Sequence, residues 1–176
     1  MKKKKLQPPP SQRKHRRTDT NSLDFDPSMI DQNTPDTLTD AIRLALTGFS
    51  IREPIFLQVQ PTPGMLHMRC YGNVATLVGR YGGKSVTGWI VYEGGRNAYL
   101  KLVHHAVWHS PEGLLIDPTP TDEKRNLFLP DPDSSPGTGC ESRYIALIPG
   151  AETQAVIAYC EKSDWTFKRK ISMLVG

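Results

Sequence analysis

From residue 36 onward the spacing of apolar side chains changes period several times, and each change marks an element. In TPDTLTDAIRLALTGF, Leu38, Ile42, Ala45 and Leu46 recur at three- and four-residue intervals, which predicts an amphipathic helix. Thr37 with Asp40 supplies a capping box at its start, and Gly48 ends it. The run Ile55–Gln60 predicts a strand, closed by Pro61-Thr62-Pro63-Gly64. Val74, Leu77, Val78 and Tyr81 return to helical spacing across Cys70–Tyr81, with Gly82-Gly83 as the stop. The period then shortens to that of a strand. Ser85–Glu93 and Tyr99–His109 form two strands joined by a Gly94-Gly95-Arg96-Asn97 turn, and Leu114–Asp117 and Tyr144–Ile148 add two more. Glu123–Gly139, with DPDSSPG at its centre, predicts a surface loop. A closing helix runs from Ala151 to about Lys162. A helix that begins with a cysteine, followed by an antiparallel sheet, is an α+β layout.

Composition refines this picture mainly at the N-terminus. The chain has 176 residues and a net charge of +4, but 8 of its 22 basic residues precede Asp19, the first acid. The remainder carries 14 basic against 18 acidic residues, or −4, so the fold itself has no nucleic-acid footprint. Residues 1–35 are polar and Pro-containing, which predicts a disordered basic tail ahead of a single domain spanning 36–176. Residues 1–17 suit contact with nucleic acid or an anionic surface; the plainer reading is a solvated leader. The tail lacks the apolar run of a signal peptide, and no stretch has the length of a membrane span. Three widely spaced cysteines, Cys70, Cys140 and Cys160, fit a reducing compartment better than a disulfide framework. A cytoplasmic protein is expected.

Cys70 is the residue most suggestive of chemistry. At the start of a helix, free backbone N–H groups and the positive dipole end favour a thiolate. A base must take the thiol proton, and the base works best when a third group orients it. His104 and His105 are neighbours on one strand and point to opposite faces. In Ser110-Pro111-Glu112-Gly113, proline suits the first position of a type I turn and glycine the left-handed position after it. A three-residue loop of this kind pairs Ser110 with Leu114 and Val107 with Asp117, placing Asp117 diagonally beside His105. A two-residue loop would favour His104; the Pro-x-Gly sequence selects His105. Cys70, His105 and Asp117 then become nucleophile, general base and orienting carboxylate, with the backbone N–H of Cys70 as an oxyanion donor. Gln60 or Gln58 are candidates for the second donor, and Asn73 for a supporting contact. Trp89 and Trp108 pack the sheet or wall the cleft. Zinc is disfavoured: His105 and His109 are about 13 Å apart on an extended strand, too far to share an ion with bonds of about 2.0–2.3 Å. No metal or cofactor is expected.

These residues together resemble a known group. CYGNVATLV, the following TGWIVYE, and HHAVWHSPEGLLIDPTP resemble the transglutaminase-like core of the papain-like superfamily, over about residues 65–120. The same pattern is similar to small bacterial and phage proteins bearing C-x-x-N-V, H-A-V-W and D-x-T-P elements. The resemblance implies a papain-like domain with Cys70, His105 and Asp117 as its triad. It also implies acyl transfer or hydrolysis through a thioester, on a peptide or glutamine-type amide, as in thiol proteases and other hydrolases and transferases of that superfamily. The alternative is an inactive papain-like scaffold used for binding or assembly, with the basic tail as tether.

Overall fold

Two eleven-residue strands, Lys84–Gly94 (β3) and Tyr99–His109 (β4), pair antiparallel without a slip, from Lys84 opposite His109 to Gly94 opposite Tyr99. The other elements are laid against this hairpin. The computed structural model describes residues 25–134 and 141–175, with side chains through Trp165. The remaining elements, in chain order, are a 3-10 turn at Pro27–Ile30, β1 (Gln32–Asn33), α1 (Asp40–Leu46), β2 (Ile55–Gln58), α2 (Cys70–Tyr81), β5 (Leu115–Ile116), β6 (Arg125–Pro130), β7 (Ser142–Ala146) and α3 (Ala151–Val175). The protein is α+β: three helices pack on a seven-stranded antiparallel sheet. No helix among the described residues is long and apolar enough to cross a membrane.

The main path through the sheet is β2-β6-β3-β4-β5, with β1 also on β3 and β7 also on β4. Its two ends meet. Val59 bridges Asp117 in parallel, the Gln60 N–H donates to the Asp117 carbonyl at 2.9 Å, and the Thr62 N–H donates to Pro118 at 3.3 Å. The sheet therefore curls around an inner face carrying Leu57, Ile90, Val107 and Phe128. The opposite face carries Trp89, Val91, Leu100, Leu102, Leu127 and Leu129, covered by Ile42 and Leu46 of α1. Alternation along β3, β4 and β6 sends neighbouring residues to these two faces. Because both faces are covered, β6 reads as an unbroken Leu127-Phe128-Leu129 run rather than a polar-apolar alternation. Helix α3 lies on β7 and the start of β4, burying Val156, Ile157 and Cys160 against Tyr99 and Met29.

Several elements match their sequence patterns closely. Helix α2 has the predicted limits, β3 and β4 extend the predicted strands by at most one residue at each end, and the 94–97 turn is where the glycines place it. Four expectations need correction. The predicted surface loop over 123–139 contains β6, an inner strand between β2 and β3; residues 135–140, including Cys140, lie outside the described residues. Helix α1 is capped by Thr39, whose Oγ1 accepts from the Ile42 N–H, not by Thr37. Helix α3 continues to Val175, well past Lys162. Finally, the part of the leader from Phe25 to Pro35 is structured. Met29 packs beside Tyr99 and Ala98, Gln32 and Asn33 pair with Gly94 and Glu93, and Asp26 meets Arg96 at 2.8 Å. Three spaced apolar residues (Phe25, Met29 and Ile30) supply this burial despite the polar composition around them. Residues 1–24 lie outside the described residues.

The inner position of β6 has a direct test. A Cβ on Gly88 would lie 2.3 Å from the Leu129 carbonyl oxygen and 2.7 Å from the Phe128 ring. Gly88→Ala is therefore expected to destabilise the protein by about 1–3 kcal/mol through forced strand separation, read as a lower urea midpoint. A neutral substitution would mean that β6 does not pack against β3.

Candidate active site

The sequence-predicted trio converges. Asp117 is 1% exposed, and its carboxylate accepts three hydrogen bonds. His105 Nε2 and Asn126 Nδ2 both donate to Oδ2, at 3.0 and 2.9 Å, while the Thr119 N–H donates to Oδ1 at 3.0 Å. The hairpin loop explains why His105 faces this carboxylate. The Ser110 N–H donates to Leu114 at 2.8 Å, the Gly113 N–H to Ser110 at 3.0 Å, and Gly113 has φ +87°. Trp108 then opposes Ile116, and the same register sets Val107 opposite Asp117. With Nε2 held by the carboxylate, Nδ1 is the His105 nitrogen left for the thiol.

Cys70 is buried at the first position of α2. The outer edge of β4 is occupied by β7 up to Val103 and by β5 from Trp108 onward. The start of α2 packs against β4 at this interval. No side chain caps the helix start at Arg69, so the first N–H groups remain directed at the cysteine. Burial raises the Cys70 thiol pKa. The hydrogen bond and charge of His105, with the N–H groups of Ala106 and Tyr71, outweigh that and lower it overall. Conversely, burial lowers the His105 pKa, but the bonds to Asp117 and Cys70 and their charges raise it to about 9. Each shift favours the charged form of its group, so the contact between them moves the pair toward thiolate and imidazolium.

The loop before Cys70 is tightly held. Met68 adopts a left-handed backbone, with φ +59°, at a cost of about 1–3 kcal/mol. Asn73 holds this turn by accepting from the Leu66 N–H at 2.9 Å and donating to the Leu66 carbonyl at 2.8 Å. Its amide also donates to Thr119 Oγ1 at 3.2 Å, linking the helix start to the segment that carries Asp117. Asn73 thus supports the site through backbone positioning.

The other candidates fall elsewhere. Gln60 has an exposed side chain, and its backbone is committed to closing β2 on Asp117; Gln58 is likewise exposed. Neither lines the cavity at Cys70. Trp89 and Trp108 do not wall that cavity either, because both have the parity of His104 and face away from it. Trp89 packs edge-on against His104 at 4.7 Å and donates to Asp131 at 3.0 Å. Trp108 donates to the Gly82 carbonyl at 2.9 Å, fastening the end of α2.

Two contributions were not anticipated from the sequence. Asn126 was hidden in the misread loop; its only signal is its two-residue spacing from Phe128, on the inner face. The second is a hydrogen-bond chain through His104, on the opposite face. Ser134 donates to the Asp131 carbonyl, so its oxygen accepts from His104 Nε2 at 2.8 Å, and Nδ1 accepts from the Tyr71 hydroxyl. Burial lowers the His104 pKa, with nearby His105 acting in the same sense against Glu141 and Asp131. A neutral His104 can both accept and donate, as this chain requires.

Around the trio is a cavity of about 230 Å³. Its floor comprises Ile90, Tyr92, Lys101 and Val103, and its sides include Thr119–Thr121, Ser142 and Asp164. Comparison with family models, curated proteins and solved structures finds no match for this chain.

The raised His105 pKa makes stability depend on pH. Its contribution is fully present below the unfolded value of about 6.5 and disappears as pH rises through about 9. Asp117→Asn is therefore expected to cost about 2–3 kcal/mol more at pH 6 than at pH 10, measured by urea unfolding at both values. An equal cost would show that Asp117 does not hold the imidazolium.

Proposed function

We propose that the chain is a cysteine-dependent acyl-transfer enzyme acting on a peptide or glutamine-type amide, with Cys70, His105 and Asp117 as its triad. The supporting observation is their convergence at a cavity, with the thiol pKa lowered and the imidazole pKa raised by the same contact. The papain-like, transglutaminase-like resemblance of residues 65–120 points the same way, as do the helix start under the cysteine and the antiparallel sheet under the histidine.

The chemistry follows from these positions. The Cys70 thiolate attacks the amide carbonyl, and the backbone N–H of Cys70 donates to the developing oxyanion. Collapse breaks the C–N bond as His105 Nδ1–H gives its proton to the leaving amine, producing a thioester and a neutral imidazole. Water or a second amine then attacks the thioester. His105 takes the proton from that nucleophile, and Cys70 leaves as the thiolate. Asp117 keeps the imidazole oriented and stabilises its charged form throughout.

The test combines reactivity with turnover. Iodoacetamide labelling of Cys70, followed by mass spectrometry, should persist well below pH 8.5, where an ordinary thiol is protonated. In His105→Ala the labelling profile should move up toward that ordinary range. Cys160, whose pKa burial raises, should label slowly in both proteins. Cys70→Ser should reduce ammonia release from glutamine peptides by about 10³-fold or more. Labelling at Cys70 no faster than at Cys140, and unchanged in His105→Ala, would instead favour an inactive binding or assembly module.

A further inference from the structure

The cavity extends beyond the triad. Along the inner face of β4, His105, Val103 and Lys101 follow one another at two-residue steps, with Ile90 and Tyr92 beside Val103 and Lys101 on β3. Ser142 on β7 pairs directly with Val103, and all of these residues line the cavity. Helix α3 closes the far end with Asp164.

Polar capacity at that far end is unbalanced. Lys101 Nζ lies 3.1 Å from the Asp164 carboxylate, and the Tyr144 hydroxyl donates to the same carboxylate at 2.8 Å. Asp164 therefore has both oxygens engaged. The ammonium carries three donors, and Asp164 is its only hydrogen-bond partner among the described residues. The Ser142 hydroxyl has no hydrogen-bond partner among the described residues, although it lines the cavity. Ser142 is a diagonal neighbour of Lys101 on one sheet face, about 7–8 Å away between backbones, a gap that one carboxylate can bridge. Tyr92 lies on the other flank, where Glu123 and Asp117 act on its hydroxyl. The Ser142 flank, by contrast, offers a hydroxyl donor beside the Lys101 ammonium, whose own charge is partnered by Asp164.

We propose that Lys101 and Ser142 form a carboxylate-binding subsite, so that the preferred acyl donor carries a carboxylate beyond an apolar spacer resting on Ile90 and Val103. Along β4, Val103 lies about 7 Å and Lys101 about 13 Å from His105, and this span sets the length of the spacer. This assignment rests on the acyl-transfer reading, since it presumes that the reacting carbonyl lies at Cys70.

The test uses N-iodoacetyl-6-aminohexanoate, whose chain reaches from the thiol to this span, and its uncharged methyl ester. In both, the Cys70 thiolate forms an S–C bond and iodide leaves. In the wild type the acid is expected to alkylate Cys70 about tenfold more efficiently than the ester at subsaturating concentration. Lys101→Gln alone leaves the Asp164 carboxylate without its cation, so the informative variant pairs it with Asp164→Asn; there the preference should vanish, and Ser142→Ala should weaken it. An acid that labels no faster than the ester in the wild type, or a preference that survives the double substitution, would overturn the subsite. Plain iodoacetamide separates the two hypotheses. Fast labelling of Cys70 without an acid preference rejects only the subsite, whereas labelling at an ordinary thiol rate rejects the acyl-transfer reading with it.

Discussion

The register of β4 is the constraint on which the rest depends. A strand sends successive side chains to opposite faces, so a one-residue slip would exchange the environments of His104 and His105. One face holds Cys70, Asp117 and the cavity; the other holds Trp89, Ser134 and the layer under α1. The register is fixed along eleven pairs with β3 and again by the Ser110–Gly113 loop leading to Asp117. A residue in a positive-φ position of that loop thus helps to decide which histidine meets the thiol.

Burial and pairing oppose each other throughout the site. Removing His105 and Cys70 from water disfavours their charged forms, yet the imidazole pKa rises and the thiol pKa falls because each supplies the other's compensation. The carboxylate that anchors them has donors from β4, from β6 and from its own loop. That arrangement fixes its position and spreads the cost of its burial over three hydrogen bonds. Asn126 Oδ1, by contrast, is buried with no partner among the described residues. An unpaired buried acceptor costs about 1–3 kcal/mol; the same amide's donor to Asp117 offsets part of that.

The adjacent histidines show how the environment separates two identical side chains. His105 has a carboxylate on one nitrogen and a thiol near the other, both favouring the cation. His104 is stacked among aromatic rings and must accept from Tyr71, which favours the neutral ring. Because Tyr71 follows Cys70, the helix start is tied to both faces of the sheet at once. Together with the Asn73 clamp on Leu66, this holds the nucleophile's backbone against the strain at Met68.

The sequence determined the parts of the protein governed by local physics. Helical spacing with a glycine stop set α2, two-residue spacing with a glycine turn set β3 and β4, and Pro-x-Gly set the loop that selected His105 over His104. Tertiary structure decided the rest. Strand β6 is invisible to periodicity because both of its faces are covered, and its polar and proline-bearing flanks resemble a loop. The ordered leader depends on a groove made by β3 and α3, far away in the chain. Gln60, Trp89 and Trp108 were assigned by proximity and composition, but their directions depend on sheet closure and strand parity. Asn126, Lys101 and Ser142 acquire their roles only where separate strands and α3 converge, since hydrogen-bond satisfaction and cavity walls are properties of residues brought together across the chain.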